Sequence, residues 1–415
     1  MWVFDEMAET SRAHTIGVAV DIDGPVEALG LQAALDIVSA RHLVLRCTGV
    51  LDEDARLWME DTGAGPRLHR HGAVPYGPLE QEIIARPVDL VDRPAWRAHL
   101  WSADTADRHT LLLMFHHAIL DDESIGILID ELQEAYAAAV DRRTVDLPAA
   151  VADYRDYTTA MRELADAPPV DAVRFWRSYL AGAARQAPYS ADHTRPRFGI
   201  SQGAEVRRDI DAVSATALRE LASVWRVTPF AMLVAVLAGA LAEWGGRDTL
   251  TLGVAVNQRE LVEPGSVAIG MYSDLVVLRL AAHRPLARLA EDAFAALLDA
   301  LDHVIPYASI LHVLRDERAA GAAADLAPVT LALTRGGGPV RHAGGTMWRL
   351  RGLSMPSISR ELGFVVREEP DRLHVALTYA QDVYCADRAT RLLDTFVTTL
   401  TRLPAELDQC GGNAP

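Results

Sequence analysis

The stretch Leu111-Leu112-Leu113-Met114-Phe115-His116-His117-Ala118-Ile119-Leu120-Asp121-Asp122-Glu123-Ser124 decides how this chain is read. Its apolar run from Leu111 to Phe115 predicts a buried strand. Behind Asp122-Glu123-Ser124, which can cap a first turn, Ile125, Leu128, Ile129, Leu132 and Tyr136 recur at helical spacing. Two histidines and a carboxylate therefore fall at a strand-to-helix junction. Neighbouring residues on extended backbone point to opposite faces, so His116 and His117 are poorly placed to grip one metal ion, and one ring faces in while the other faces out. A strand-end histidine that reaches a cavity is a candidate general base, because imidazole titrates near working pH and its second nitrogen can be oriented by a neighbour. Spacing alone reads equally well as two histidines satisfied in a core.

Further segments widen the pattern. His116-His117-x-x-x-Asp121 resembles the His-His-x-x-x-Asp-Gly signature of the condensation domains of nonribosomal peptide synthetases, a branch of the chloramphenicol acetyltransferase-like superfamily. Arg41-His42-Leu43-Val44-Leu45-Arg46 is similar to the family's Arg-His-x-x-Leu-Arg, and the segment from Arg86 to Pro94 to its Pro-Phe-Asp-Leu. Phe175-Trp176 through Leu180 resembles Tyr-Trp-x-x-x-Leu, and Leu252 through Arg259 the strand that ends in Gly-Arg. Ile269-Gly270-Met271-Tyr272-Ser273-Asp274 resembles Ile-Gly-Phe-Phe-Val-Asn. The resemblance runs from the first few residues to near Leu403, as for a free-standing or excised domain.

This resemblance implies an α/β fold, a pseudo-dimer of two chloramphenicol acetyltransferase-like subdomains, residues 1–172 and 173–415, set as a V around a central tunnel. It implies His117 as the catalytic residue and His116 as structural. Asp121 would pair with Arg259 and tie the first half to the second, and Asn257, Tyr272 and Ser273 would line the tunnel. The implied reaction joins a carrier-bound acyl or aminoacyl thioester to an amine, with both reactants on phosphopantetheine arms of carrier proteins and neither metal nor permanent cofactor. An ester-forming acyltransferase shares the motif. So does, in part, a non-catalytic class that recruits tailoring oxygenases, which also resembles the Asp121-Asp122 ending but typically lacks the second histidine. Two residues depart from the family pattern: Asp122 stands at the usual glycine and Asp274 at the usual asparagine. Glycine takes a positive φ at little cost and aspartate does so less readily, so Asp122 is expected to cap the following helix through backbone N–H groups.

Composition excludes several classes. The 415 residues are about right for two domains. All 40 basic residues are arginine. A P-loop needs a lysine on its phosphates and a pyridoxal enzyme a Schiff-base lysine, so both are excluded, and Gly336-Gly337-Gly338 reads as a flexible turn. A net charge of −17 without a basic block argues against nucleic acid. Cys47, Cys385 and Cys410 form no pair of ligand or disulfide spacing, and Asp5 and Glu6 interrupt any leader, so a reducing, cytoplasmic compartment is expected; the domain is also expected to be a monomer. Pro229 to Trp244 is short for a membrane span and reads as a buried helix capped by Thr228. Asp122-Glu123-Ser124-Ile125-Gly126 lacks the first glycine of a nucleophile elbow, which leaves Ser124 as a first-turn helix residue. In the second half, strands are expected near Leu250–Val256, Leu275–Leu280, Val329–Leu333, Leu362–Arg367 and Leu373–Tyr379, and a closing helix at Ala386–Leu403.

Overall fold

A computed structural model describes residues 14–52, 57–72, 74–91, 94–103, 107–148, 154–183, 189–195, 203–259, 267–315, 326–335, 340–353, 355, 360–369 and 371–411. The Gly336-Gly337-Gly338 turn, the Cys410 side chain and the opening residues lie outside them. In chain order the elements begin β1 (Thr15–Asp23), α1 (Ala28–Arg41), β2 (Cys47–Leu51), β3 (Leu57–Asp61), β4 (Leu68–Gly72), α2 (Tyr76–Ala85), β5 (Trp96–Ser102), β6 (Arg108–His116) and α3 (Asp122–Asp141). There follow α4 (Tyr154–Asp166), α5 (Val170–Tyr179), β7 (Gly203–Ile210), α6 (Ala212–Val224), α7 (Pro229–Gly245), β8 (Thr249–Asn257), β9 (Ser273–Ala281), α8 (Leu286–Asp302) and α9 (Tyr307–Val313). The chain ends with β10 (Val329–Arg335), β11 (Arg341–Ala343), β12 (Thr346–Gly352), β13 (Leu362–Glu369), β14 (Arg372–Ala380) and α10 (Ala386–Gly411).

Two compact units result, and neither is continuous in sequence. The first comprises Met1–Thr158, Gln258–Tyr272 and Arg335–Ser359; the second comprises Thr159–Asn257, Ser273–Thr334 and Arg360–Pro415. A single cut between residues 172 and 173 therefore differs from the observed division. The physical reason is strand pairing: β12 returns from late in the chain and pairs antiparallel with β1, from Val18 opposite Gly352 to Asp23 opposite Met347. Sequence periodicity does not disclose such a distant partner.

The first unit's sheet has the order β11-β12-β1-β6-β5-β4, with β2 and β3 forming a separate pair. Strand β6 is buried along almost its whole length, and its central run Leu111–Phe115 is wholly apolar because both faces are covered. Leu111, Leu113 and Phe115 enter the core with Leu31, Leu35, Leu128 and Leu132, whereas Leu112 and Met114 pack in a second cluster with Ile83 of α2. Trp96 stacks on Phe115 with ring centres 5.4 Å apart, and its indole N–H donates to the Leu45 carbonyl. The second unit's sheet has the order β7-β14-β13-β10-β8-β9, and all five strands and the closing helix expected from sequence are present. Helix α7 is buried at the centre of that unit's core, and the Thr228 hydroxyl caps it by accepting from Ala231 N–H. Among the described residues no single helix is long and apolar enough to cross a membrane.

At the sheet edge, β4 and β5 bring His69, His71 and His99 into one stack, with ring centres 5.0 and 5.3 Å apart and His71 Nε2 3.0 Å from His99 Nδ1. Burial, then the neighbouring cations, depress His99 to about 3, and burial also lowers His71. Both values fall below that of an unfolded histidine, so the unfolded chain binds more protons as pH drops. Their contribution to stability is complete above about pH 6.5 and is lost progressively toward the folded value of His99. Urea midpoints should therefore fall between pH 7 and pH 5, and His99→Leu should flatten that slope; an unchanged slope would exclude the stack as its source.

Candidate functional site

Strand β6 ends at His116, whose backbone N–H donates to Ala95 O at 2.9 Å. The ring is 3% exposed, and its Nδ1 accepts from Ala118 N–H at 3.1 Å. His117 begins the turn, held by its own N–H to His14 O at 2.6 Å, and is half-buried. Its Nδ1 lies 3.0 Å from Leu120 O. A carbonyl only accepts, so this contact assigns the proton to Nδ1 and leaves the Nε2 lone pair for another partner.

Asp121 is the N-cap of α3, in place of the Asp122 expected from sequence. Its Oδ1 accepts from Ser124 N–H at 2.9 Å and its Oδ2 from Tyr272 N–H at 3.0 Å. Asp122 is exposed in the first helical turn, and among the described residues the only non-glycine positive φ angles belong to Arg142 and Arg226. The aspartate at the family's glycine position thus imposes no backbone strain. A carboxylate in the first turn is also favoured by the helix dipole.

The segment at residues 267–272 closes over this cap. Asp121 N–H donates to Gly270 O, and the Ser124 hydroxyl donates to the same carbonyl at 2.7 Å while accepting from Gly270 N–H at 3.1 Å. Arg259 is 1% exposed; its Nη2 donates to Ser124 Oγ at 2.9 Å and lies 3.6 Å from Asp121 Oδ1, while its Nη1 donates to Ala268 O. The Asp121–Arg259 pair therefore exists, with the Ser124 hydroxyl at its centre. The pair joins residues far apart in sequence, but both lie in the first compact unit, whereas the sequence reading placed them in different subdomains. The guanidinium sits 4.0 Å from the centre of the Tyr272 ring, a cation–π contact. A Cβ on Gly270 would come within 2.1 Å of the Tyr154 ring, so only glycine permits this approach.

The Arg41-His42 pair has a mechanical role here. His42 Nδ1 accepts from Ile269 N–H at 3.3 Å and its Nε2 donates to Glu131 of α3 at 2.7 Å, while Arg41 Nε donates to the other Glu131 oxygen at 2.9 Å. Ser124, Glu131 and Gly270 were not selected by sequence reasoning. Only Ser124, three residues after the capping aspartate, carried a local signal, that of an N-cap partner.

The remaining expected residues separate. Tyr272 is buried among Tyr154, Tyr157 and Arg259. Asn257 ends β8 exposed, opposite Ser273, which opens β9. Asp274, in the second unit, accepts from Leu275 N–H at 2.8 Å and from Tyr307 N–H, the first of α9, at 2.9 Å. Two donors on two oxygens suit a carboxylate better than an amide, and burial nevertheless pushes its carboxyl above the usual range. Among the described residues, no group of three His, Cys, Asp or Glu side chains is placed to hold a metal ion.

Removing Arg259 leaves Asp121 buried without its cation, and removing Asp121 leaves the buried Arg259, among the described residues, only the exposed Glu123 carboxylate at 3.6 Å, so Asp121→Ala and Arg259→Ala should each cost about 3–5 kcal/mol. In a denaturant double-mutant cycle the double variant should lose less than the sum, and additive losses would mean the two side chains are uncoupled.

A family model for the condensation domain matches residues 1–411. Phosphinothricin tripeptide synthetase PhsC of Streptomyces viridochromogenes is 26% identical over 300 residues, covering 68% of this chain and 26% of that protein. Nonribosomal peptide synthetase agiA of Aspergillus flavus is 23% identical over 431 residues, covering 100% of this chain and 5% of that protein. The chain thus spans about a quarter or less of the length of these relatives. Among solved structures, the X-domain in complex with OxyB from teicoplanin biosynthesis superposes with a TM-score of 0.82 at 22% identity, covering 97% of this chain and 91% of that one. The first condensation domain of the CDA synthetase superposes with a TM-score of 0.79 at 21% identity, covering 97% and 94%. The fold is the α/β chloramphenicol acetyltransferase-like fold of these domains, and by sequence the chain belongs to the condensation-domain family.

Proposed function

We propose that this domain is an acyltransferase of nonribosomal peptide biosynthesis that forms an amide from a carrier-bound thioester and an amine. The observation that carries this reading is His117: Nδ1–H is held by the Leu120 carbonyl, which leaves Nε2 able to accept a proton. The acceptor nitrogen attacks the thioester carbonyl, the C–N bond forms and the C–S bond breaks. His117 Nε2 holds or takes the proton that the amine loses, and the phosphopantetheine thiol leaves carrying a proton. The thioester is already activated, so positioning two tethered reactants supplies much of the rate and no metal or permanent cofactor enters. His116, Asp121 and Arg259 fix the turn on which His117 stands. The partners in this reading are donor and acceptor carrier proteins, met in the cytoplasm by a monomeric domain, with Asn257 and Ser273 near the substrates.

A second reading is supported by Asp122 and by the likeness to the teicoplanin X-domain: a recruitment platform for a tailoring enzyme. The two readings diverge on His117. With loaded carrier proteins and intact-protein mass spectrometry, His117→Ala should lower product formation by about 10²–10⁴-fold. Its melting temperature should stay near that of the natural protein, because the half-buried ring makes, among the described residues, a single side-chain hydrogen bond, to the Leu120 carbonyl. Near-normal turnover in this variant would remove the catalytic assignment. Asp122→Gly should change turnover only modestly, since Asp121 and not Asp122 makes the cap. An inactive natural protein that gains turnover on this substitution would favour the platform.

A further inference from the structure

Arg108 opens β6 at the end away from His116, roughly 27 Å along the strand at about 3.4 Å per residue. Beside it lies a cavity of about 380 Å³, formed within the first unit by the starts and ends of strands β1, β5, β6 and β12 and by the first residue of α2. Its charges are almost completely matched. Arg349 pairs with Asp23, and Arg351 lies 3.4 Å from Asp21 and 2.9 Å from Glu80. Thr110 Oγ1 donates to Asp21 Oδ1 at 3.0 Å, and Arg351 donates to the Tyr76 hydroxyl at 2.7 Å. Only the Arg108 guanidinium, among the described residues, lines this cavity without an ion pair or hydrogen bond.

An unpaired surface arginine is ordinary by itself. Here it faces an aromatic wall. Tyr76 and Trp101 stand with ring centres 5.1 Å apart and planes tilted by 53°. The Trp101 indole N–H is already given to Val74 O, so the cavity is offered ring surface rather than a donor. With Glu80 counted, the carboxylates and guanidiniums around the cavity balance, but among the described residues Arg108 alone is not engaged by a carboxylate; one such cation suits a monoanion, and a dianion would meet repulsion from Asp21 and Asp23. The volume falls within the range of small-ligand sites and would hold a single ring.

We infer that this cavity binds a small aromatic or heteroaromatic monocarboxylate, its carboxylate on Arg108 and its ring against Trp101 and Tyr76. The site is separate from the His117 turn, and the inference stands whether or not the domain is a catalyst. Calorimetry and ligand-observed NMR on the full chain test it, with benzoate as the probe and cyclohexanecarboxylate and inorganic phosphate as controls. Benzoate should bind saturably and more tightly than either control. Arg108→Ala, which removes an exposed side chain and should leave the melting temperature unchanged, should weaken benzoate binding about tenfold, or about 1.4 kcal/mol. Trp101→Leu should erase the preference for benzoate over cyclohexanecarboxylate. Absence of saturable benzoate binding, equal binding to the Arg108→Ala protein, or phosphate binding as tight as benzoate would overturn the assignment.

Discussion

The two oxygens of Asp121 hold the site together. One satisfies a helix N-terminus that would otherwise leave its N–H groups without partners, and the other takes the backbone N–H of Tyr272 from a segment far along the chain. A buried carboxylate costs several kcal/mol unless its lone pairs are filled and a cation stands near. Ser124 N–H, Tyr272 N–H and Arg259 meet those requirements. The turn from His116 to Leu120 hangs between this cap and strand β6, so the orientation of His117 follows from a hydrogen-bonded frame rather than from its own packing.

A second anchor reinforces the same segment. Glu131 on α3 is shared by Arg41 and His42, and the other ring nitrogen of His42, Nδ1, accepts the N–H of Ile269. Helix α1, helix α3 and the segment at 267–272 are thereby joined through one imidazole and one carboxylate. Both networks lie in the first compact unit, so the motif turn is rigidified without relying on the second unit.

Much of this was legible in the sequence. The run Leu111 to Phe115 and the period-3.6 residues behind it placed β6 and α3, because a strand covered on both faces and a half-buried helix leave distinct hydrophobic patterns. The return of β12 to pair with β1 was not legible, since its outward arginines Arg349 and Arg351 give no clue to a partner so distant in the chain. The capping residue was misplaced by one position, which periodicity resolves poorly and a hydrogen bond resolves at once. Ser124 read as an ordinary helix residue because a hydroxyl's partners across the fold leave no local trace. The family resemblance supplied the pairing of Asp121 with Arg259, and the structure corrected where that pairing acts.

The central claim is that this frame holds His117 with its proton on Nδ1 and its Nε2 lone pair free. Nitrogen-15 NMR of the imidazole rings, assigned by comparison with a His117 variant, reports that tautomer directly at neutral pH. The account predicts a protonated Nδ1 and an unprotonated Nε2 for His117 in the free protein; a predominant Nε2–H tautomer would contradict it.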